Sequence, residues 1–111
     1  MNVLFKPVIL LLMITSYSVM AHTTAKVERI SLVGAGNIVY VFPEGGVQNA
    51  PACHGSNGDY LTFKMDRPMA KEYLSLLMMA FTAEKTVSFR TAGDCVEQSV
   101  SETLDYLWVD N

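Results

Sequence analysis

The segment NAPACHGSNGDY, residues 49–60, brings together residue types that carry chemistry. Cys53 is followed directly by His54, and Ser56 and Asp59 lie within the next five positions. A cysteine beside a histidine suits three kinds of site: a metal centre, a thiol nucleophile with its base, or one half of a disulfide. The rest of the chain supplies one more cysteine and one more histidine, so each alternative has few partners.

Neither catalysis nor metal binding is predicted for this segment. His54, Ser56 and Asp59 are the residue types of a catalytic triad, but they lie too close together in one flexible loop for the geometry that a nucleophile and its base need. A structural zinc site takes four ligands and a catalytic one usually three, and the cysteines and histidines here match no zinc-finger spacing. We therefore expect no enzyme, no metal and no cofactor.

The first 21 residues have the three zones of a secretory signal peptide. Lys6 gives a positive start, an apolar run follows at residues 8–19, and Val19 and Ala21 supply the small residues that signal peptidase requires. The apolar run is shorter than the roughly 20 residues of a membrane-spanning helix. We predict cleavage after Ala21, export to the periplasm or beyond the cell, and no membrane anchor.

Export decides between the alternatives for Cys53. Two cysteines in an oxidising compartment pair by default, and that compartment disfavours a free thiol. Cys53 and Cys95 are 42 positions apart, so a bridge between them stabilises the fold by roughly 4 kcal/mol in the chain-entropy picture. The sequence predicts this disulfide.

The exported chain, residues 22–111, is predicted to form one domain. Without Lys6, seven lysines and arginines stand against eleven aspartates and glutamates, a net charge of −4 with neutral histidines. No basic cluster remains, which argues against nucleic acid or anionic lipid as a partner.

Side-chain alternation and β-branched residues predict five strands. Residues 26–33 and 37–42 flank a glycine turn and form a hairpin, and residues 60–65 alternate cleanly between apolar and polar. Residues 85–91 give a fourth strand. The fifth, residues 103–111, is apolar on nearly both faces, which predicts a central position in a sheet or the lining of a barrel.

One helix is predicted over residues 66–85. Asp66 suits the N-cap, and Pro68 suits the first turn, where its missing N–H costs nothing. The helix is apolar on more than one side. Two interpretations stay open: a core helix packed on a sheet, or a helix whose second apolar flank, including Met78 and Met79, meets another subunit.

The element order is strand, strand, strand, helix, strand, strand. A helix between the third and fourth of five strands predicts a mainly β fold with one helix, a small five-stranded OB-like barrel. The alternative is an open α+β sheet with the helix on one face.

Aromatic residues near polar groups give the better candidate for a binding site. An aromatic ring can stack on a sugar while neighbouring polar groups bind its hydroxyls. Because Tyr60 alternates with Leu61 and Phe63, it is the aromatic residue most favoured to be exposed. The candidate ligand-binding residues are Tyr60, Asn57, Asp59 and Lys64, with Tyr40, Tyr106 and Trp108 as further aromatic candidates of which the last two are also candidates for the core.

Several motifs together resemble a known family. The signal peptide, a loop cysteine, the helix sequence SLLMMAFTAEKTVSF, the motif GDC and the final LDYLWVDN look like the small secreted proteins related to the B subunit of subtilase cytotoxin. Those proteins resemble the receptor-binding subunits of pertussis-like AB toxins. The resemblance covers about residues 26–109 and implies an OB-fold, a cysteine bridge and a pentameric ring that binds cell-surface glycans, often ending in sialic acid.

The resemblance transfers no sugar-binding residue. Where the toxin subunit has a serine that contacts the sugar, this chain has Ala25 or Lys26. The sequence therefore predicts an exported, non-enzymatic binding module, a partner of a cell-surface glycan or a protein, forming a homo-pentamer in the toxin-like case. It is silent on a toxic A subunit. The alternative is a monomeric periplasmic or secreted protein that inhibits or stabilises a protein partner.

Overall fold

The computed structural model describes residues 22–111, so the predicted signal peptide and its cleavage site lie outside the described residues. The elements follow the predicted order, which confirms a mainly β chain with one helix. They are β1 (His22–Val33), β2 (Ile38–Pro43), β3 (Leu61–Lys64), α1 (Ala70–Ala83), β4 (Thr86–Thr91) and β5 (Leu104–Val109).

The five strands form one antiparallel sheet in the order β3-β2-β1-β4-β5. β1 is the longest strand and lies in the middle. Its first part, His22 to Lys26, pairs with β4, and its second part, Val27 to Val33, pairs with β2. The register shifts between Val27 and Arg29. A bulge of this kind bends a strand, so β1 joins two halves of the sheet that point in different directions.

The sheet is not closed. β3 and β5 are its edges, and no ladder joins them within residues 22–111; an isolated parallel bridge links Thr62 to Thr103, just before β5, where the Thr62 N–H donates to the Glu102 carbonyl at 3.1 Å. A barrel needs a continuous ladder at this seam. The open sheet with one helix, the alternative to the OB-like barrel, therefore describes the structure.

The core lies between the sheet and the helix. From α1, only Ala70, Leu77 and Ala80 are fully buried, and the other apolar residues of the helix are partly or largely exposed. The remaining buried apolar residues come from the strands: Val27, Val39, Val41, Leu61, Phe63, Val87, Phe89, Leu104 and Leu107.

Arg67 links the start of the helix to β5. Its guanidinium donates to the main-chain carbonyls of Leu104 and Asp105, the latter at 2.8 Å, and pairs with the Glu97 carboxylate at 3.5 Å. The Tyr73 hydroxyl donates to the same Asp105 carbonyl at 3.1 Å. These two side chains bind the main chain at the beginning of β5.

The helix begins later than predicted. It starts at Ala70, and Met69 precedes it in the left-handed region with φ of 67°. Asp66 and Pro68 lie in turns instead, where the Arg67 N–H donates to the Lys64 carbonyl at 3.2 Å. The predicted N-cap is wrong because Arg67, bound to β5, holds this segment in a turn.

The predicted position of β5 is also wrong. It is an edge strand, and its register with β4 shifts between Arg90 and Thr91. Because of this irregularity Leu104 is buried while Tyr106 is 43% exposed, although simple alternation places both on one face.

A disulfide between Cys53 and Cys95, with Cα atoms 6.2 Å apart, confirms the predicted pairing. It joins the glycine-rich loop (residues 44–60) to the Cys95 segment (residues 92–103). Both of these are long connections without helix, and a covalent bond between them reduces the freedom of the unfolded chain.

We expect loss of the disulfide to lower the free energy of unfolding by about 4 kcal/mol, since 42 residues separate the two cysteines. Urea unfolding of the protein with and without reductant, and of the double variant Cys53→Ala/Cys95→Ala, measures this. The double variant is its own control, because reductant has no bond left to cleave there. Equal stability of the bridged and unbridged forms would contradict the prediction.

Candidate functional site

His54 helps to connect the glycine-rich loop to the Cys95 segment through hydrogen bonds of its ring. Its side chain is 5% exposed, its Nδ1 accepts the Glu102 main-chain N–H at 2.9 Å, and its Nε2 lies 2.9 Å from Asp59 Oδ1. Because a main-chain N–H can only donate, Nδ1 is unprotonated, and Nε2 carries the proton that it donates to Asp59. Both ring nitrogens are engaged, so His54 has no free nitrogen to act as a base.

Asp59 is held by the loop that contains it. Its Oδ1 also accepts the Val47 N–H at 3.0 Å. Gly46 lies so close that a Cβ at that position would overlap Asp59 Oδ2, and Gly46 has a φ of +89°. Asp59 is therefore an internal anchor of the loop.

The His54–Asp59 pair does not extend to a triad. Ser56 is exposed, and no hydrogen bond joins it to His54. Within residues 22–111, no three histidine, cysteine, aspartate or glutamate side chains are grouped as a metal site. Cys53, His54 and Asp59, which are residue types found in reactive sites, serve here to connect the glycine-rich loop to the Cys95 segment.

Tyr60 is buried, so its predicted exposure is wrong. Its ring stacks on Tyr40 with centroids 4.2 Å apart and meets Phe42 at 5.2 Å, and its hydroxyl donates to Gln98 Oε1 at 2.8 Å. Gln98 Nε2 in turn donates to the Tyr40 hydroxyl at 2.6 Å. The face of β3 that alternation assigns to solvent is covered by the Cys95 segment, which leaves the Tyr60 ring no free face for a sugar.

Glu102, whose main-chain N–H binds His54, carries a buried carboxyl group. The residue is fully buried, and apart from Thr91 no described residue gives its oxygens a hydrogen bond. Burial raises the pKa of the Glu102 carboxyl above its usual value of 4.5; the Thr91 hydrogen bond and the His54 ring oppose this rise, and Asp94 adds to it.

The outer face of β4 and β5 carries two aromatic residues, the exposed Tyr106 and the half-buried Trp108. Tyr106 and Trp108 are stacked with centroids 5.9 Å apart and an interplanar angle of 27°. The Arg90 guanidinium lies 5.3 Å from the centre of the Trp108 ring, and Trp108 Nε1 donates to Asp110 Oδ2 at 3.2 Å. We call Arg90, Tyr106 and Trp108 the outer aromatic surface.

Polar residues flank this surface in strand register. Trp108 is opposite Ser88, and Ser88 is opposite Thr24 on the other side. A shallow depression of about 390 Å³ lies between these strands and the last residues of the chain, lined by hydroxyl, carboxylate and amide groups and by Lys85, and it includes Thr24, Ser88 and Asp110. Aromatic faces beside such a depression give a ligand both stacking surface and hydrogen-bond partners.

The structure places the predicted ligand-binding residues in different surroundings. Asn57 is exposed and donates to the Tyr60 hydroxyl at 3.3 Å, while Lys64 is half-buried and its N–H is bound by Glu97 at 2.8 Å. Whether Asn57, Asp59 and Lys64 bind a ligand stays a prediction. Sequence reasoning missed Arg90, because its position over Trp108 depends on the β4–β5 register.

Comparison of the chain with protein-family models, with curated proteins and with solved structures gave no match in any of the three. The resemblance to toxin B subunits therefore stays a prediction from the motifs. Among residues 22–111, no helix is long and apolar enough to cross a membrane.

We expect Gly46→Ala to lower the free energy of unfolding more than Gly45→Ala does. Both glycines have positive φ, of 89° and 82°, so both substitutions carry about 1 kcal/mol of backbone strain. Only at Gly46 does the new methyl group overlap Asp59, and moving that carboxylate from its hydrogen bonds to Val47 and His54 adds about 1 kcal/mol. Urea unfolding compares the two variants, and equal effects would show that the Gly46–Asp59 contact carries no weight.

We expect Glu102→Gln to remove a pH dependence of stability. Since the folded-state pKa of Glu102 is raised, the folded protein keeps a proton that the unfolded chain loses, and stability falls as pH rises from about 4.5 towards the folded pKa. Urea unfolding between pH 4 and 8 should show a flatter profile for the variant and greater stability than wild type at pH 7. The exposed Glu44→Gln is the control; a wild-type slope retained in Glu102→Gln would disprove the assignment.

Proposed function

We propose that the chain is an exported, non-enzymatic binding module whose ligand is a glycan, bound at the outer aromatic surface. The observation that carries this proposal is the stacked pair of the exposed Tyr106 and the half-buried Trp108, beside Arg90 and a polar depression. The signal-peptide pattern and the disulfide support export, because such bridges persist in oxidising compartments.

The chemistry of the surface suits a sugar. The hydrophobic face of a pyranose ring packs on an aromatic ring, and its hydroxyl groups need donors and acceptors around the rim. Trp108 offers the ring, and Ser88, Thr24 and Asp110 offer the polar rim. The Arg90 guanidinium, 5.3 Å from the centre of the Trp108 ring, adds a positive charge beside this rim.

Ring orientation is set before any ligand arrives. Trp108 is held from one side by Arg90, through the guanidinium–ring contact, and at its Nε1 by Asp110. A side chain fixed in this way loses less conformational entropy when a ligand binds.

A second candidate function is favoured by a separate observation. Met78 and Phe81 of α1 are about half exposed, and exposed apolar side chains on one helix are typical of protein contacts. This supports the alternative of a protein that inhibits or stabilises a protein partner.

We expect a glycan-array screen of the protein, produced from the full-length sequence and with its N-terminus determined by mass spectrometry, to show selective binding. Trp108→Ala and Tyr106→Ala should each weaken that binding about tenfold or more, because each removes a stacking surface. Val96→Ala is the control, since Val96 is a highly exposed apolar residue elsewhere, in the Cys95 segment.

Three outcomes separate the candidates. Loss of binding in Asn57→Ala or Lys64→Ala, with Trp108→Ala unaffected, would move the site to the residues first predicted from the sequence. Absence of binding to every glycan would reject the glycan proposal and favour the protein-partner function. Unchanged binding in all of these variants would reject both proposed sites.

A further inference from the structure

One side of α1 carries an apolar stripe that the core covers only in part. Leu74, Met78 and Phe81 recur at spacings of four and three and so share one side of the helix. Met78 is 56% and Phe81 49% exposed, whereas Leu74 is partly buried against the core. We call these three residues the α1 flank.

The α1 flank runs into a pocket at its beginning. Leu74 lines an apolar pocket of about 210 Å³ between the helix, Met65 and the end of the β1–β2 hairpin, where Leu32 is also largely exposed. The volume suits one large apolar side chain. The same surface therefore presents both a receptacle, beside Leu74, and projecting side chains, Met78 and Phe81.

We propose that the α1 flank pairs with a second copy of this chain about a two-fold axis, with the two helices antiparallel. A surface that contains both a pocket and the side chain to fill it is self-complementary, as a two-fold interface requires. Leu74 and Phe81 are seven residues apart, about 10 Å along the helix. An axis midway between them places Met78 of the two copies together and Phe81 at the pocket beside the partner subunit's Leu74.

Charge supports the second copy and the antiparallel direction. Lys71 lies one turn before Leu74, and Glu84, three residues after Phe81, is the C-cap residue just beyond the end of α1, with a left-handed φ of 53°. Both side chains are exposed, and neither has an ion pair among the described residues. In the antiparallel pair each Lys71 is opposite the partner subunit's Glu84, so two attractive pairs form. In a parallel pair like charges would face each other.

The neighbouring Met79 lies outside this contact. It is 45% exposed, but one residue turns a helix by about 100°, which places Met79 among the polar residues Glu72, Ser75 and Thr82. Met78 and Met79 therefore differ in the face that they occupy while sharing chemistry, helix position and exposure.

The test is the molar mass of the protein in solution, measured by sedimentation velocity at about 10 to 100 µM, where a small interface is populated. Wild type should have twice the mass of one chain. Met78→Glu should halve it, because the charge would be buried at the axis, and Met79→Glu should leave it doubled. Circular dichroism confirms that each variant is folded.

A charge exchange tests the same interface without altering its apolar residues. Lys71→Glu should raise the dimer dissociation constant about tenfold, since it reverses two symmetry-related pairs. The double variant Lys71→Glu/Glu84→Lys should restore the wild-type value. A monomeric wild type, a mass of five chains, equal effects of Met78→Glu and Met79→Glu, or no rescue by the double variant would each overturn the proposal. None of these outcomes depends on glycan binding.

Discussion

The connection between the glycine-rich loop and the Cys95 segment is the constraint on which the rest of the fold depends. The disulfide makes it permanent, and His54 makes it specific, since one ring nitrogen binds each side of the contact. β3 has only four residues and lies at the edge of the sheet. A strand this short forms few ladder hydrogen bonds. The Cys95 segment packs over β3 and buries Tyr60 and Thr62.

The two sides of the sheet differ in how their aromatic and polar side chains are used. On the β2–β3 side, aromatic and hydroxyl side chains make internal contacts, such as the Tyr40–Tyr60 stack and the hydrogen bonds of Gln98. On the β4–β5 side no long connection within residues 22–111 crosses the sheet, and Tyr106 is exposed and Trp108 half-buried. The polar loop of residues 49–60 serves mainly to hold the fold together, and β4 and β5 carry the surface that we propose as the binding site.

The sequence was sufficient to predict the order of elements, the hairpin, the approximate extent of the helix and the disulfide. These follow from local alternation, glycine turns and the pairing of two cysteines. It was insufficient wherever a distant segment decides the outcome. Tyr60 is buried by residues about 40 positions away, the helix begins at Ala70 because Arg67 binds β5, and a register shift beside Arg90 separates Leu104 from Tyr106. Alternation describes one strand at a time and contains no information about what covers its outer face.

The Arg67 contact also limits what can be added to the sheet. An unpaired edge strand is a template on which a strand from another molecule can grow, and this is a common route to aggregation. Here the carbonyls at the start of β5 are already occupied by a guanidinium and by the Tyr73 hydroxyl. A foreign strand would have to displace a charged group that is itself paired with Glu97. The Arg67 side chain, just before the helix, thus occupies acceptors at the start of the edge strand and opposes intermolecular β-pairing there.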